Sequence, residues 1–248
     1  MAEEQIEGRN PVLEALRARH PMIKIYLQKG EPGKALRDVV RMASERKIPV
    51  HYVESHVLDR MATTRNHQGV IAVAAGWEYA SIETIFQKAE ERGEAPFILI
   101  LDGVEDPQNL GSIIRTAEAT GVHGIIIPER RAAGLSPAVS RASAGAVEYV
   151  PVARVTNLSR TIEELKKRGL WFTAAEMNGE LEYDQADLTG PIGLVLGGEG
   201  GGVSRLVAEH CDQKVRLPMW GKVNSLNVAV ATGVLLYEIR RQRKLKNE

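Results

Sequence analysis

The sequence predicts an α/β protein of two domains, the larger of which contains a largely parallel sheet. Short apolar segments typical of strands alternate with amphipathic segments typical of helices along most of the 248 residues. Two apolar segments, Phe97–Leu101 and Ile192–Leu196, contain no polar position, as expected of strands buried on both faces. The glycine-rich segment Gly197–Gly202 follows the second one, and open α/β sheets bind ligands beyond the carboxyl ends of their strands.

Residues 1–75 are predicted to form a small α/β domain. Asn10 and Pro11 have the pattern of a helix start, with a capping side chain followed by proline at the first helical position. Helical spacing recurs over residues 35–43, and Ser55 is a candidate cap for a short third helix. Three further segments predict strands: Ile23–Leu27, Pro49–Val53 and Gln68–Ala74.

Residues 76–94 are predicted to connect the two domains. From residue 75 to residue 94 there are 5 Asp/Glu against 2 Lys/Arg, so this part of the chain is acidic. Ser81 begins an amphipathic helix that Gly93 ends, which makes the segment too apolar for a disordered linker. It is either a connector or the first helix of the second domain.

Residues 95–248 are predicted to form the second domain. Asn109 is expected to cap a helix that ends near Thr120. Asn157 is expected to cap a later helix. Ser225 is expected to cap the final helix, which continues to about Lys244. Besides the two apolar runs, four segments predict strands: Gly124–Ile127, Val150–Val152, Leu170–Thr173 and Val215–Leu217.

Composition favours a cytoplasmic protein that has no membrane segment. Cys211 is the one cysteine, so no internal disulfide can form and a reducing compartment is expected. The acidic start lacks the apolar core of a signal peptide, and no apolar run approaches the roughly 20 residues of a membrane span. The net charge is zero, but residues 1–74 carry 12 Lys/Arg against 9 Asp/Glu, which permits RNA binding there.

The glycine-rich segment matches neither of the common phosphate-binding motifs. The dinucleotide fingerprint requires glycine at its sixth position, where counting from Gly198 places Val203. The Gly221–Lys222 pair is followed by Val223 instead of the Ser or Thr of a P-loop. Taken alone, the segment is either a flexible loop or a small-ligand loop that uses backbone groups. No metal-ligand spacing of His, Cys or carboxylates is present, so no metal is expected.

Three segments in order resemble the three motifs of the SpoU (TrmH) family of RNA ribose 2′-O-methyltransferases, within the SPOUT superfamily. They are residues 102–117, 194–200 and 217–233, and the likeness extends over roughly 95–243. Two N-terminal segments, Ile6–Val12 and His67–Val70, resemble the additional domain of the subgroup that methylates a guanosine in 23S rRNA. That domain is similar to a ribosomal-protein-type RNA-binding fold.

The resemblance implies a SPOUT-type catalytic domain preceded by a small RNA-binding domain. S-adenosylmethionine (AdoMet) would donate the methyl group from a trefoil-knotted region near the C-terminus. The enzyme would be a homodimer, with the last helix and the helix of the first motif near the interface. Its RNA substrate would be 23S rRNA. A tRNA 2′-O-methyltransferase and a non-catalytic RNA-binding protein of the same fold remain as alternatives.

The resemblance also implies the site residues. Five residues match functional positions of the motifs: Asn109, Arg115, Glu199, Ser225 and Asn227. Three match positions that contact the cofactor: Gly197, Leu217 and Leu226. Three are candidates for RNA contact in the first domain: Arg9, Arg65 and His67.

Each of these positions also has a purely structural explanation. Arg115 is spaced to pair with Glu118 on the helix surface, Asn109 could serve only as a cap, and Glu199 could be a solvated loop carboxylate. Leucines such as Leu217 are ordinary core residues, and surface arginines are commonly solvated. Trp220 stands where relatives tend to carry a small residue, which would reshape the cofactor mouth or the dimer contact.

Overall fold

The computed structural model describes residues 3–17, 19–30, 33–63 and 66–246. The chain divides into two compact units. One comprises the residues up to Glu78 together with Leu135–Ala138, and the other comprises Tyr79–Gly134 and the residues from Val139 onwards.

The first unit is built on a four-stranded mixed sheet in the order β1-β4-β2-β3. Strands β2 and β3 are parallel, whereas β4 is antiparallel to both β1 and β2. The three predicted strands are present, and β1 is an addition that the sequence analysis missed. The elements are β1 (Glu3–Glu7), α1 (Arg9–Arg17), β2 (Met22–Gln28), α2 (Lys34–Glu45), β3 (Val50–Val53), α3 (Ser55–Met61) and β4 (Val70–Ala75).

The core of the first unit lies between the sheet and helices α1 and α2. Apolar side chains of α1 and α2 pack on alternate residues of β2 and β4, including the fully buried Ile25 and Ala72. Two predicted helix starts were wrong by one or two residues. Helix α1 begins at Arg9, so Asn10 lies inside its first turn, and Ser55 is the first residue of α3 instead of its cap. Such shifts are the usual uncertainty of helix boundaries.

The second unit is built on a seven-stranded parallel sheet in the order β7-β6-β5-β10-β8-β11-β9. The predicted α/β class with a parallel sheet is therefore confirmed. The strands are β5 (Phe97–Asp102), β6 (Gly124–Pro128), β7 (Val152–Val155), β8 (Trp171–Ala175), β9 (Leu181–Glu182), β10 (Ile192–Gly197) and β11 (Gln213–Arg216). Its helices are α4 (Ile82–Glu91), α5 (Pro107–Ala119), α7 (Leu158–Lys166), α8 (Arg205–His210) and α9 (Val228–Lys246), with a 3-10 turn at Ala146–Glu148. Helix α6 (Pro137–Ala142) begins in the segment counted with the first unit and ends in the second.

Helix α4 confirms the predicted amphipathic helix after Ser81. The Ser81 hydroxyl caps it by accepting a hydrogen bond from the Thr84 N–H at 3.1 Å. Its Ile85 is fully buried in the main apolar cluster of the second unit, directly against Gly124 of β6. Helix α4 is thus packed against the sheet of the second unit. The assignment of separate roles to residues 1–75, 76–94 and 95–248 stays a prediction.

Helix α9 is bound to the rest of the second unit by the buried Arg243 and the partly buried Arg240, near its C-terminal end. Arg243 is almost fully buried, and burial lowers the pKa of its guanidinium to about 10, so it stays charged at neutral pH. It donates hydrogen bonds of 2.7–3.0 Å to three backbone carbonyls, those of Ala95, Pro96 and Gly190. Arg240 donates to the Thr120 carbonyl at 2.7 Å, at the end of α5. These bonds hold α9 alongside α5 and so set where its N-terminus lies.

Within the described part of the chain, the helices are all too short or too polar to cross a bilayer.

Candidate active site

The candidate site begins where β5 and β10 end side by side. Parallel pairing places Gly197 opposite Asp102, so the loops after these two strands leave the sheet together. The Asp102 carbonyl accepts a hydrogen bond from the Gly198 N–H at 2.8 Å, and its carboxylate accepts one from the Ser204 N–H at 2.8 Å. Both ends of the glycine-rich loop are therefore tied to the end of β5.

The glycine-rich loop folds back tightly on itself. Gly198 and Gly202 form an isolated antiparallel bridge, and a side chain at Gly197 would overlap the backbone of Gly202. A side chain at Gly198 would overlap the Gly103 carbonyl in the neighbouring loop. Two positions therefore require glycine because backbone passes at contact distance. Further along the loop, a side chain at Gly201 would meet only open space.

Helix α5 starts earlier than the sequence analysis expected, and Asn109 is not its cap. Asp106 is the cap, and its carboxylate accepts hydrogen bonds from the N–H groups of Gln108 and Asn109, each at 3.2 Å. Pro107 occupies the first helical position, where its missing N–H costs no hydrogen bond. The Asp-Pro pair was the sequence signal for this boundary. Because Asp106 provides the cap, the Asn109 side chain is released for other contacts.

Helix α9 also starts at a different residue from the one expected. Asn227 caps it, since its side-chain oxygen accepts hydrogen bonds from the N–H groups of Ala229 and Val230 at 2.9 and 3.3 Å. Ser225 was expected in this role, but it lies exposed in the loop two residues before the cap. The prediction was wrong because two residue types that both favour the cap position stand two residues apart.

Three of the predicted residues, one from each motif, form a closed hydrogen-bond network. The Asn109 amide donates to Oε1 of Glu199 at 3.0 Å. The Asn227 amide donates to the same Glu199 oxygen at 2.8 Å and to Oδ1 of Asn109 at 2.9 Å. Asn109 is almost fully buried, whereas Glu199 and Asn227 are exposed. The network therefore joins the loop after β10 to the starts of α5 and α9.

The capping bonds determine the direction of every hydrogen bond in this network. The Asn227 oxygen faces the backbone N–H groups of α9, so its NH₂ group must face Asn109 and Glu199. Asn109 then presents its oxygen to Asn227 and its NH₂ group to Glu199. One oxygen of Glu199 thus accepts two amide hydrogens, which fixes the orientation of the carboxylate.

Arg115 lies outside this network and is exposed on α5. It follows Asn109 by six residues, which corresponds to about 9 Å along the helix axis. The i,i+3 ion pair with Glu118 does not form, and within the described residues the Arg115 guanidinium has neither a hydrogen bond nor an ion pair. Its positive charge is therefore available to a ligand.

Two of the three predicted cofactor residues lie at the ends of β10 and β11, the strands on either side of β8, and the third lies in the loop before α9. Gly197 is the last residue of β10, and Leu217 follows β11, which ends one residue earlier than predicted. Leu226 precedes the cap of α9 and is 42% exposed, unlike a core leucine. Trp220 lies in the same loop and is 91% exposed, so its ring projects into solvent.

The RNA candidates of the first unit have mixed outcomes. Arg9 is exposed, and its Nε donates to the Gln68 carbonyl at 3.0 Å. His67 is mostly buried: its Nδ1 accepts from the Gly69 N–H at 3.1 Å, and its Nε2 lies 3.0 Å from Oδ1 of Asp59. Both ring nitrogens of His67 are occupied, so it stabilises the turn before β4. Arg65 lies outside the described residues.

The chemistry available at this site does not include a thiol nucleophile. Burial raises the pKa of the Cys211 thiol to about 12, which keeps it protonated, and its Sγ donates to the Val207 carbonyl. In the described part of the chain, no group of three or more His, Cys, Asp or Glu is arranged to hold a metal ion. What the site does provide is a fixed carboxylate, oriented amides, a free guanidinium and glycine-lined backbone.

Two family models match the chain and together account for most of it. Residues 96–237 match the SpoU rRNA methylase family, and residues 5–80 match the RNA 2′-O ribose methyltransferase substrate-binding domain. The second match covers most of the first unit.

Similar proteins are known over the full length and over part of it. A putative TrmH family tRNA/rRNA methyltransferase of Bacillus subtilis, YacO, is 47% identical and covers 95% of this chain and 94% of its own. An AdoMet-bound rRNA methyltransferase from Sinorhizobium meliloti has a TM-score of 0.64 at 28% identity, covering 96% of this chain and 87% of its own. A TrmH/SpoU tRNA modifying enzyme of A. aeolicus has a TM-score of 0.57 at 34% identity, covering 62% of this chain and 78% of its own.

Proposed function

We propose, from the premise that this chain belongs to the SpoU family of RNA ribose 2′-O-methyltransferases, that it methylates a guanosine of 23S rRNA. Family membership makes it an AdoMet-dependent enzyme that acts on RNA. The observation that carries the catalytic assignment is the Asn109–Glu199–Asn227 network, which joins all three motifs at one sheet edge. A protein that only binds RNA does not need a fixed carboxylate there.

The choice of rRNA over tRNA is supported by the first unit. The similarity to the rRNA methyltransferase of S. meliloti covers 96% of this chain. The similarity to the tRNA modifying enzyme of A. aeolicus covers only 62% of this chain. We assign the recruitment of rRNA to the first unit, because residues 5–80 match the substrate-binding family model. Residues 1–75 would recruit the RNA, residues 95–248 would carry out the chemistry, and residues 76–94 would connect them. A tRNA substrate is the competing possibility, because YacO is described with both substrates.

The residues present fit AdoMet. An adenosine needs backbone groups for its polar edge and apolar cover for its ring. The tight glycine-rich loop offers backbone without obstructing side chains, and Leu217 and Leu226 offer apolar surface that is not consumed by the core. We expect Gly197, Leu217 and Leu226 to hold the cofactor, within the knotted region that the family resemblance implies. When bound, AdoMet supplies a methyl group on a positively charged sulfur.

The protein residues must prepare the ribose hydroxyl for attack. A new bond forms between the 2′ oxygen and the methyl carbon, the electron pair of the bond from that carbon to sulfur stays on sulfur, and the hydroxyl proton passes to a base or to solvent. A neutral hydroxyl is a weak nucleophile, so a nearby positive charge that lowers its pKa accelerates the reaction. Arg115 provides that charge or orients the adjacent phosphate. Glu199, held by Asn109 and Asn227, orients the ribose, and Ser225 lies in the exposed loop two residues before Asn227.

The function is tested by transfer of radiolabelled methyl from AdoMet to total rRNA and, separately, to tRNA. The modified nucleoside is then identified by digestion and chromatography. Label in a 2′-O-methylguanosine of 23S rRNA is the expected result. Label in tRNA would replace the substrate while keeping the chemistry. If no RNA is labelled although AdoMet binds, either the substrate exists only during ribosome assembly or the chain is a non-catalytic RNA-binding member of the family.

Replacing Asn227 with aspartate separates its catalytic role from its capping role. Aspartate caps helices as well as asparagine does, so the contribution of the cap itself to the stability of α9 should change by less than about 1 kcal/mol. It cannot donate to Glu199 and places a second negative charge beside it, so methyl transfer should fall by about 100-fold or more. Thermal denaturation and methyl-transfer rates measure the two effects. Activity close to wild type would mean that Asn227 serves only as a cap.

We also propose that the enzyme is a cytoplasmic homodimer whose interface includes α9. Four apolar side chains of α9 are between 38% and 59% exposed and lie along one side of the helix: Val230, Val234, Tyr237 and Leu245. A second copy of the chain would cover them. The double change Val230→Asp and Tyr237→Asp should produce a monomer in sedimentation experiments. The control Leu206→Asp changes an equally exposed leucine on α8 and should not; a dimer that survives the double change would contradict this interface.

A further inference from the structure

The sheet of the first unit has two faces of different character. Ile25 and Leu27 of β2 are buried in the cluster formed with α1 and α2. Because side chains alternate along a strand, Lys24 and Tyr26 lie on the opposite face, away from these two helices. Both keep part of their surface exposed to solvent. On β2, this second face therefore carries the cationic side chain of Lys24 and the aromatic ring of Tyr26.

The strand next to β2 adds a second ring on that face. The parallel register pairs Tyr26 with His51 of β3, and the centroids of the two rings are 5.5 Å apart at an interplanar angle of 33°. The Lys24 Nζ atom lies 5.7 Å from the centroid of the Tyr26 ring, within cation–π range. The three side chains Lys24, Tyr26 and His51, here called the sheet platform, form one continuous group.

The apolar part of the same face is already covered. Ile71 of β4, which pairs with Tyr26, is fully buried, as is Leu58 of α3. Helix α3 is also tied to β1, since the Gln5 amide donates to the Met61 carbonyl at 2.9 Å. The accessible side chains of the sheet platform are aromatic and basic, and His51 is exposed. A partner that buries aliphatic surface would find little to bind here.

We propose that the sheet platform stacks unpaired bases of single-stranded RNA. Every base offers a π face to an aromatic ring, and a neighbouring cation attracts the phosphate backbone. Sequence-specific RNA recognition mostly targets such unpaired bases, whose faces are accessible. The net basic charge of residues 1–74 complements the same ligand. The inference rests on the proposed function, because it assigns to this face the recruitment of the RNA substrate.

The test measures binding of the full-length chain to a fluorescently labelled 20-nucleotide RNA of mixed sequence without secondary structure, and to the same RNA annealed to its complement. Tyr26→Leu retains apolar volume but removes the ring, and should weaken binding of the single strand by about 5- to 100-fold. His51→Ala and Lys24→Gln should each weaken it less. Tyr26→Phe should bind like wild type. Binding of the duplex should not change in Tyr26→Leu or His51→Ala, which remove rings, whereas Lys24→Gln also removes a charge that attracts phosphate and should weaken binding of both RNAs slightly.

Tyr52 provides the matched control. It follows His51 on the same strand, is 50% exposed, and lies on the other face of the sheet. Tyr52→Leu should leave RNA binding unchanged. Equal losses for Tyr26→Leu and Tyr52→Leu, or no loss in Tyr26→Leu, would overturn the proposal, as would a wild-type chain that does not bind the single strand. If circular dichroism shows that Tyr26→Leu is unfolded, His51→Ala and Lys24→Gln decide the question.

Methyl-transfer kinetics on a 23S rRNA transcript separate this proposal from the proposed function. Variants of the sheet platform should raise KM by the same factor as the binding loss and leave kcat unchanged, because they are remote from the motif residues in the sequence. A wild-type chain that binds the single strand through the platform but transfers no methyl would contradict the proposed function alone. A wild-type chain that transfers methyl with the same KM as Tyr26→Leu would overturn the platform alone.

Discussion

Replacing Arg115 with alanine is expected to slow methyl transfer by about 10²- to 10⁴-fold, with AdoMet affinity nearly unchanged. The physical reason is that the guanidinium is always protonated and is exposed without an ion pair in the described chain, so its charge is not used by the fold. A charge that stabilises a developing alkoxide acts in the transition state more than in the ground state, and its loss therefore lowers kcat. Single-turnover transfer rates and calorimetric AdoMet titration measure the two quantities.

Two further variants show which property of Arg115 matters. Arg115→Lys keeps the charge but loses the planar fork, so a rate between wild type and alanine would indicate oriented contact with phosphate. Arg160→Ala is the control, because Arg160 is also exposed on a helix of the second unit and makes only an i,i+4 ion pair with Glu164. It should leave activity unchanged. Full activity of Arg115→Ala would exclude a catalytic role, and loss of folding would indicate a structural one.

The strands of this protein could be predicted where burial alone dictates their sequence. Phe97–Leu101 and Ile192–Leu196 are apolar throughout because β5 and β10 lie in the middle of a parallel sheet. Strand β1 (Glu3–Glu7) has one buried residue, Ile6, among the four whose burial is described, so it forms because it pairs with β4. Strand order could not be predicted at all, since β10 lies between β5 and β8 through contacts that no local pattern encodes.

The residues of the candidate site could be predicted by resemblance, but their partners could not. Glu199 lies 90 residues after Asn109 and 28 residues before Asn227 along the chain. Only the fold brings the two amides and the carboxylate together. The same long-range contact explains why Asn227 instead of Ser225 caps α9. Either side chain could accept the helix N–H groups, but only the position of Asn227 also reaches Glu199. Local preference left two choices, and tertiary hydrogen bonds selected one.

Replacing Gly197 with alanine is expected to weaken AdoMet binding by about 100-fold or more and to destabilise the second unit by roughly 1–3 kcal/mol. The added methyl group would overlap the carbonyl group of Gly202 and the N–H of Val203, which are backbone atoms and cannot rotate away. The loop would have to open, and the Gly198–Gly202 bridge would be lost. Calorimetric titration with AdoMet and thermal denaturation measure the two losses.

The neighbouring glycines make this prediction specific to close packing. Gly201 has open space around its Cβ position and an ordinary φ, so Gly201→Ala should bind AdoMet like wild type. Gly200 also faces open space but has φ +92°, so alanine there would strain the backbone without a clash. The AdoMet affinity of Gly200→Ala should therefore lie between those of Gly197→Ala and Gly201→Ala. Unchanged affinity in Gly197→Ala would place the cofactor away from this loop. Equal losses at all three positions would mean that AdoMet binding depends on loop flexibility, because only the close-packing explanation predicts a graded series.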